Sequence, residues 1–204
     1  MIHGVMLDSS LSFDNHVNAV VRACNYNLRS LRYIRHSVTR DIANTLACSI
    51  AGSRIDYCNA LNIYGVSGKN IDRLQRLQNG LARVVCDIGV RKLHNSGLNS
   101  MLHWLPIRTR IEFNVVTLCY KLYRLGTPSY LASNLQPYLP FRMLRSSNLD
   151  QITVSASRIK LTSRNFSACA PSLWITLPAS LRAAEIVSVF KSHLKTHLYR
   201  QSLM

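Results

Sequence analysis

Apolar residues recur every three or four positions in the first half of the chain, which is the spacing of one face of an amphipathic helix. The first series predicts a long helix that begins near Asp14. Thr39 is a favourable N-cap residue, so we expect a second helix that ends near Gly52, followed by a shorter piece over residues 55–61. The apolar positions of the first helix are Val17, Val20, Val21, Cys24, Leu28, Leu31 and Ile34, and those of the second are Ile42, Leu46 and Ile50.

A third helix is predicted after Ser67, which can cap its N-terminus, and Gly89 is expected to end it. Its apolar residues occupy an arc of roughly 140° when successive residues are placed about 100° apart. Gly80 lies inside this helix and costs about 1 kcal/mol relative to alanine. It therefore predicts either a break in the helix or the close approach of another backbone. The apolar residues are Ile71, Leu74, Leu77, Leu81, Val84 and Val85.

The second half begins with one more long helix and then changes character. All six prolines lie beyond residue 105, and Pro106 suits the first turn of a helix that continues to about Leu125. Residues 126–188 contain five prolines and clusters of serine and asparagine, so loops and short strands are expected there rather than long helices. The helix after Pro106 has the apolar face Ile107, Ile111, Val115, Leu118 and Leu122, and a last helix has Val187, Phe190, Leu194 and Leu198.

These patterns predict a mainly α-helical fold: a helical bundle with a short N-terminal strand over residues 2–7 and an irregular C-terminal extension that ends in a helix. The 204 residues suffice for one compact domain with an appended segment, and such a chain buries about 70% of its unfolded surface. No stretch approaches the roughly 20 apolar residues of a membrane span. The first residues reach Asp8 before any long apolar run, so we expect no signal peptide and an intracellular location.

The chain is strongly basic, with 25 lysines and arginines against 9 acids and a net charge of +16. The charge is uneven, because residues 1–88 carry 10 basic and 6 acidic residues whereas residues 89–204 carry 15 and 3. A chain with this charge attracts polyanions. Nucleic acid, anionic membrane and acidic protein are therefore all admissible partners.

A candidate binding surface lies opposite the apolar face of the third helix. Lys69, Arg73, Arg76 and Arg83 fall within about 80° of one another, and Gly80 lies on the same arc. Any amphipathic helix has a charged outer face, so a solvated surface is the alternative interpretation. The scarcity of acids nearby favours a surface that follows a phosphate backbone. Three further candidates, Arg110, Lys121 and Arg124, share the outer side of the next long helix.

The sequence gives no support for catalysis or for a metal site. The acids are scattered, so no local cluster could hold two catalytic metal ions, and the common phosphate-binding and hydrolase motifs are absent. His193 and His197 have the spacing of two ligands on one helix, but a solvated polar face is the favoured interpretation. A zinc site from Cys58, Cys86 and a histidine is weaker still, because the spacing is irregular.

The six cysteines are widely spaced and form no CxxC pair. Cysteine is among the residues most often found in protein interiors, and disulfides are rare in reducing compartments. We therefore expect buried free thiols. The six are Cys24, Cys48, Cys58, Cys86, Cys119 and Cys169.

Five blocks, spread in order over nearly all 204 residues, form a recognisable series. They are 4–13 (GVMLDSSLSF), 53–59 (SRIDYCN), 74–79 (LQRLQN), 102–108 (LHWLPIR), and 170–174 (APSLW) with Leu177-Pro178 and Phe190-Lys191. The series resembles the C-terminal third of the reverse transcriptase of jockey-like non-LTR (LINE) retrotransposons. Asn114 and Ile175 depart from the resemblance, since the family more often has lysine and asparagine there.

The resemblance implies that residues 1–13 are the end of a palm-like strand, that residues 14–125 are a helical thumb-like domain, and that residues 126–204 are a basic, proline-containing extension with a terminal helix. The family's activity is RNA-directed DNA synthesis with magnesium. The resemblance assigns the catalytic palm aspartates to a region before the start of this chain. We therefore expect a fragment that grips primer and template, holds no cofactor and is inactive alone.

The partners that the resemblance implies are an RNA–DNA hybrid or another nucleic acid, and the missing palm and fingers of a polymerase. A membrane is not expected as a partner. Because the parent elements act at chromosomal DNA, the resemblance points to the nucleus, although no nuclear-import run of lysine and arginine is present. Two alternatives stay open: a stand-alone nucleic-acid-binding or protein-interaction module derived from the element, and a translated relic without function.

Overall fold

The computed structural model of the chain describes residues 5–57, 66–88, 95–138, 151–154 and 164–203. These residues are mainly helical, which confirms the predicted fold class. Within these ranges no helix is both long and apolar enough to cross a membrane. The helices are α1 (Asp14–Ile34), α2 (Arg40–Leu46), α3 (Ser53–Asp56), α4 (Gly68–Cys86), α5 (Asn95–Met101), α6 (Ile107–Leu125), α7 (Ser129–Ala132), α8 (Phe166–Ile175), α9 (Ala179–Arg182) and α10 (Val187–Leu203).

The chain forms two compact units, Met1–Arg108 and Thr109–Met204. The two units divide near the start of α6, because this helix packs within the second unit. Its Tyr120 ring lies against the rings of Trp174 and Phe190.

The start of α1 is fixed by a local hydrogen-bond network at the predicted position. The Asp8 carboxylate accepts hydrogen bonds from the N–H (2.7 Å) and the hydroxyl of Ser12. The hydroxyl of Ser12 is the largest cause of the lowered pKa of Asp8. Phe13 then turns the backbone through the left-handed region, with φ 59°. This turn leads into the helix, so the predicted strand is wrong at residues 6–7, which are exposed and irregular, while residues 2–4 lie outside the described ranges.

The second predicted helix is longer than expected and buries a different face. Residues 40–56 are continuously helical, with a π-helical turn over Ala47–Gly52. The predicted end of the helix near Gly52 is therefore wrong. Thr39 caps the helix as predicted, because its hydroxyl accepts a hydrogen bond from the N–H of Ile42 (3.4 Å). Ile42 and Ile50 are exposed; the buried face instead has alanines at every fourth position of α2 and the π-helical turn, and the turn packs closely on α1. The buried residues are Ala43, Ala47, Ala51, Gly52 and Ile55.

α4 runs without a break through Gly80. Of the two possibilities predicted for this residue, a break in the helix is therefore wrong. Ser67 occupies the predicted N-cap position, but its backbone carbonyl rather than its hydroxyl accepts hydrogen bonds from the first turn. The helix ends just before Asp87, which adopts the left-handed conformation (φ 54°). Aspartate tolerates this conformation better than most residues do. Gly89, the predicted terminator, and residues 58–61 of the predicted short piece lie outside the described ranges.

α1 and α4 lie side by side and run parallel. At their N-terminal ends the side-chain amide of Asn70 donates a hydrogen bond to Oδ1 of Asp14 (2.6 Å). At their C-terminal ends the Arg35 guanidinium donates from Nε to the carbonyl of Val84 (2.9 Å) and from Nη2 to that of Val85 (3.0 Å). A cation at this position also stabilises the negative end of the α4 dipole. Both ends of the helix pair are therefore fixed.

Two glutamine side chains of α4 hold the segment that leads into α6. Gln78 is 1% exposed, and its Nε2 donates to the carbonyl of Leu105 (2.8 Å). Oε1 of Gln75 accepts a hydrogen bond from the N–H of Ile107, the first residue of α6 (2.8 Å). The first N–H groups of a helix have no partner within it, so Gln75 satisfies one of them. Both glutamines therefore have a structural role.

Aromatic side chains from three helices form the centre of the second unit. Tyr120 of α6 stacks on Phe190 of α10 with ring centroids 4.1 Å apart, and Trp174 of α8 lies 6.0 Å from Phe190. All three side chains are fully buried. The Tyr120 hydroxyl donates to the carbonyl of Ala184 (2.9 Å), which satisfies its one buried polar group.

The stretch between α7 and α10 is more helical than predicted. α8 is ten residues long and continues through Pro171, and α9 follows it. The described residues of this stretch contain a single β-bridge, between Pro137 and Ile152. α8 is buried on several sides, so its apolar residues lack the three-and-four spacing that identifies an amphipathic helix.

The structure describes five of the six cysteines, and none of these five forms a disulfide. The prediction of buried thiols is confirmed for three of them and wrong for Cys48, which lies on the exposed side of the π-helical turn. Cys86 is half-buried, and Cys58 lies outside the described ranges. Burial raises the pKa of the three buried thiols, to about 11 for Cys24 and Cys169 and to about 12 for Cys119.

An alkylating reagent is expected to separate the exposed cysteine from the buried ones. Of the five described cysteines, Cys48 should react with iodoacetamide first in the native chain at pH 8, whereas Cys24, Cys119 and Cys169 stay protonated and inaccessible. Peptide mapping by mass spectrometry after timed labelling measures this order, with the chain in concentrated urea as the control. Rapid labelling of Cys119 in the native chain would contradict the packing of α6.

Candidate nucleic-acid interface

The basic residues predicted on the third helix lie along one side of α4. Lys69 and Arg76 are exposed, and Arg73 and Arg83 are half-buried. Asp72, which is also exposed, is the single acid of this helix. The basic residues therefore border solvent on a helix whose other side belongs to the core. The buried apolar residues are Leu74, Leu77, Leu81, Ala82, Val84 and Val85.

An open groove lies between α1 and α4 at Arg73 and Arg76, and we call it the first groove. Its volume is about 280 Å³, and Asn25 borders it from α1. No hydrogen bond or ion pair joins either guanidinium group to another described residue. Guanidinium groups carry five N–H donors in one plane and bind phosphate oxygens in pairs. The groove therefore presents two cations that have no partner among the described residues. Its lining is Val21, Asn25, Leu28, Arg73, Arg76 and Leu77.

A second groove follows along the same pair of helices and has a volume of about 310 Å³. Arg32 of α1 and Arg83 of α4 line it from opposite helices, and Gly80 also borders it. Arg35 borders it too, but its guanidinium is engaged with the carbonyl groups at the end of α4. Asp87 reduces the positive charge of this groove. We call the two grooves and the surface between them the α1–α4 seam.

Sequence reasoning missed the residues that α1 contributes to the seam. Asn25 and Arg32 are seven residues apart and exposed, and Leu28 lies between them on the same side of the helix. This spacing was visible in the sequence. The partner of that side was not, because the parallel packing of α1 on α4 depends on long-range contacts such as those of Arg35 with the end of α4.

The three candidates on α6 lie in the second unit and have other surroundings. Arg110 and Lys121 are half-buried. Arg124 is exposed, but its Nη2 donates to the carbonyl of Arg182 (3.0 Å), and its guanidinium carbon lies 5.8 Å from the centre of the Tyr123 ring. These contacts connect α6 to α9 and give Arg124 a structural role. The case for an anion site is therefore stronger on α4.

The described side chains do not assemble a metal centre. Among them, no group of three or more histidine, cysteine, aspartate or glutamate residues is placed to hold a metal ion. His193 is exposed and His197 is half-buried on α10. Cys58, which the zinc site with Cys86 and a histidine required, lies outside the described ranges. The described residues therefore do not fit the magnesium ions that the resemblance implies for a whole polymerase.

Comparisons of the chain with protein-family models, with curated proteins and with solved structures find no match in any of the three. Function is therefore inferred from the residues, from their geometry and from the resemblance to retrotransposon reverse transcriptases. Of these, the geometry of the α1–α4 seam is the most specific, because its cations would suit a ligand that carries negative charge along an extended path.

Proposed function

We propose that this chain is the thumb region of a retrotransposon RNA-directed DNA polymerase, and that it grips nucleic acid through the α1–α4 seam. The observation that carries the proposal is the first groove, where Arg73 and Arg76 border solvent without a partner among the described residues. By the resemblance, the ligand is the RNA–DNA hybrid of primer and template. The place of action is then the nucleus, where the parent elements meet chromosomal DNA.

A polymerase thumb must hold every sequence equally well, so its contacts go to phosphates rather than to base edges. Such contacts require cations on a support that does not have to be ordered on binding. α1 and α4 form such a support, because the Asn70–Asp14 hydrogen bond fixes one end of the pair and Arg35 fixes the other. The physical requirements of a backbone grip and the properties of the seam therefore agree.

The blocks that carry the resemblance meet at contacts between helices, which supports a shared fold. Gln75 and Gln78, in block 74–79, form hydrogen bonds to Ile107 and Leu105, in block 102–108. Similar packing occurs in the second unit, where Trp174 of the APSLW block lies against Phe190. The resemblance therefore includes residues that hold the helices together.

The proposal does not include polymerase activity for this chain alone. RNA-directed DNA synthesis needs carboxylates that hold two metal ions about 4 Å apart, and the resemblance assigns these to the palm. Purified chain with magnesium, nucleotides and a primed RNA template is therefore expected to give no extension product. Detectable extension would refute this part of the proposal.

Equilibrium binding of the full chain to a fluorescently labelled RNA–DNA hybrid tests the grip itself. If the contacts are to phosphates, the logarithm of the association constant falls linearly with the logarithm of the salt concentration, by roughly 0.7 to 0.9 for each phosphate neutralised. Binding that does not change with salt would contradict the proposal. So would equal affinity for vesicles of anionic lipid, since the seam would then not be selecting nucleic acid.

A stand-alone binding module is the second candidate, and the closed packing of each unit favours it. Leu74 in the first unit and Trp174 in the second are at most 1% exposed, as in the interiors of independent domains. Exposed apolar residues such as Ile42 and Ile50 instead suit a detached thumb that has lost its neighbour. Sedimentation and thermal unfolding discriminate between them: a cooperatively folded monomer favours the module, and self-association favours the detached thumb.

A further inference from the structure

Gly80 occupies a position at which neither the backbone nor the packing requires glycine. It lies within α4, where glycine is less favourable than alanine. It does not have the positive φ that favours glycine, and a Cβ there would meet only the end of the Leu28 side chain, at an ordinary contact distance of 3.4 Å. The bare backbone at this position therefore has no explanation within the fold. Glycine also occurs where a ligand must approach a backbone closely.

Gly80 lies between the two grooves along α4. Arg73 and Arg76 line the groove on one side of it, and Arg83 lines the groove on the other. At 1.5 Å of rise per residue, Arg83 lies about 13 Å along the helix axis from the midpoint of the first two arginines. The two sets of arginines line separate grooves, so a ligand that occupies both grooves must present negative charge at two points along the helix axis.

α1 supplies the opposite wall of the same path. Asn25 borders the first groove and Arg32 borders the second. Both side chains are exposed and carry N–H donors, and no hydrogen bond joins either to another described residue. A linear polyanion that lies along the seam would therefore receive donors from both helices.

We propose that the α1–α4 seam is a track for the backbone of one nucleic-acid strand. One phosphate binds Arg73, Arg76 and Asn25 in the first groove, another binds Arg83 and Arg32 in the second, and the backbone between them passes over Gly80. This inference rests on the proposed function and deepens it. It assigns three residues of the track that basic charge on α4 alone would not identify, namely Asn25, Arg32 and Gly80.

The test compares two substitutions that add the same side chain at different places. Gly80→Gln fills the track while favouring the helix, and Thr45→Gln adds the same group at an exposed position of α2 that lines neither groove. Arg32→Ala removes the cation that α1 supplies. Fluorescence anisotropy measures the affinity of each full-length variant for a single-stranded RNA and for an RNA–DNA hybrid of the same sequence, and thermal melting checks the fold.

Gly80→Gln is expected to melt no lower than the parent chain and to bind at least one of the two probes about tenfold more weakly, because it displaces phosphates from the track. Arg32→Ala should weaken binding about threefold and reduce its salt dependence, and Thr45→Gln should bind like the parent. If Gly80→Gln weakens the binding of only one of the two probes, that probe shows whether the strand in the track is single-stranded RNA or part of an RNA–DNA hybrid.

Two results would overturn the track, and they differ in what they say about the proposed function. If Gly80→Gln and Arg32→Ala bind as tightly as the parent while Arg73→Ala/Arg76→Ala does not, the track is wrong and the grip by α4 stands. If none of these variants weakens binding, the track and the proposed function both fail. Tighter binding of an acidic peptide than of either nucleic acid would also overturn the inference.

Discussion

Replacement of Arg73 and Arg76 together by alanine is expected to weaken binding of an RNA–DNA hybrid by about tenfold or more at low salt. It should also make the dependence of log affinity on log salt shallower by about two units at most, because each arginine neutralises about one phosphate. Neither guanidinium has a partner among the described residues, so the fold should not change. Anisotropy titrations at several salt concentrations measure both quantities, and circular dichroism confirms the fold.

The matched control for this variant is Arg40→Ala with Arg54→Ala. These two arginines are also exposed and lie in the same unit, but neither lines a groove of the seam. The control removes the same net charge, and circular dichroism checks that loss of the hydrogen bond from Arg40 to the carbonyl of Met101 (3.3 Å) leaves the fold unchanged. An unchanged salt dependence after removal of Arg73 and Arg76, or an equal loss in the control, would refute the first groove as a phosphate site.

Replacement of Trp174 by alanine is expected to destabilise the second unit by about 3–5 kcal/mol. Its side chain is fully buried and lies against the rings of Tyr120, Tyr123 and Phe190. Alanine would leave a cavity among three helices and remove these ring contacts. Urea unfolding followed by circular dichroism measures the change in the free energy of unfolding.

Ile175→Ala is the matched control for the tryptophan variant. Ile175 is the next residue of the same helix but is 46% exposed, so its truncation should cost less than about 1 kcal/mol. If the two substitutions destabilise the chain equally, the packing of α8 against α6 and α10 is wrong. A small effect of both would lead to the same conclusion.

The sequence predicted the helices that have one buried face. α1, α4 and α6 begin and end close to the predicted positions, and α10 contains the residues predicted for the last helix, because the apolar residues of these helices recur at three and four. α8 was missed, since it is buried on several sides and contains Pro171. The buried face of α2 was also predicted wrongly, because its isoleucines are more hydrophobic than its alanines and were therefore expected in the core. The sequence does not show that a neighbouring helix comes so close that only small side chains fit.

The candidate site was predictable only in part, and the limit has a physical cause. The stripe of Arg73, Arg76 and Arg83 follows from spacing within one helix. The contribution of Asn25 and Arg32 depends on which side of α1 faces α4, and that is decided by the contacts between the helices, including the hydrogen bonds of Arg35 at the end of α4. Spacing along one helix carries no information about its neighbour. A groove between two helices is therefore visible only in the structure.

Photo-cross-linking tests most directly the claim that nucleic acid lies along the α1–α4 seam. The full chain would be saturated with an RNA–DNA hybrid that carries photoreactive nucleotides, irradiated and mapped by mass spectrometry. Cross-links are expected in peptides that contain Asn25, Arg32 and residues 69–83. Cross-links confined to residues 109–203, or their absence at saturation, would contradict the claim.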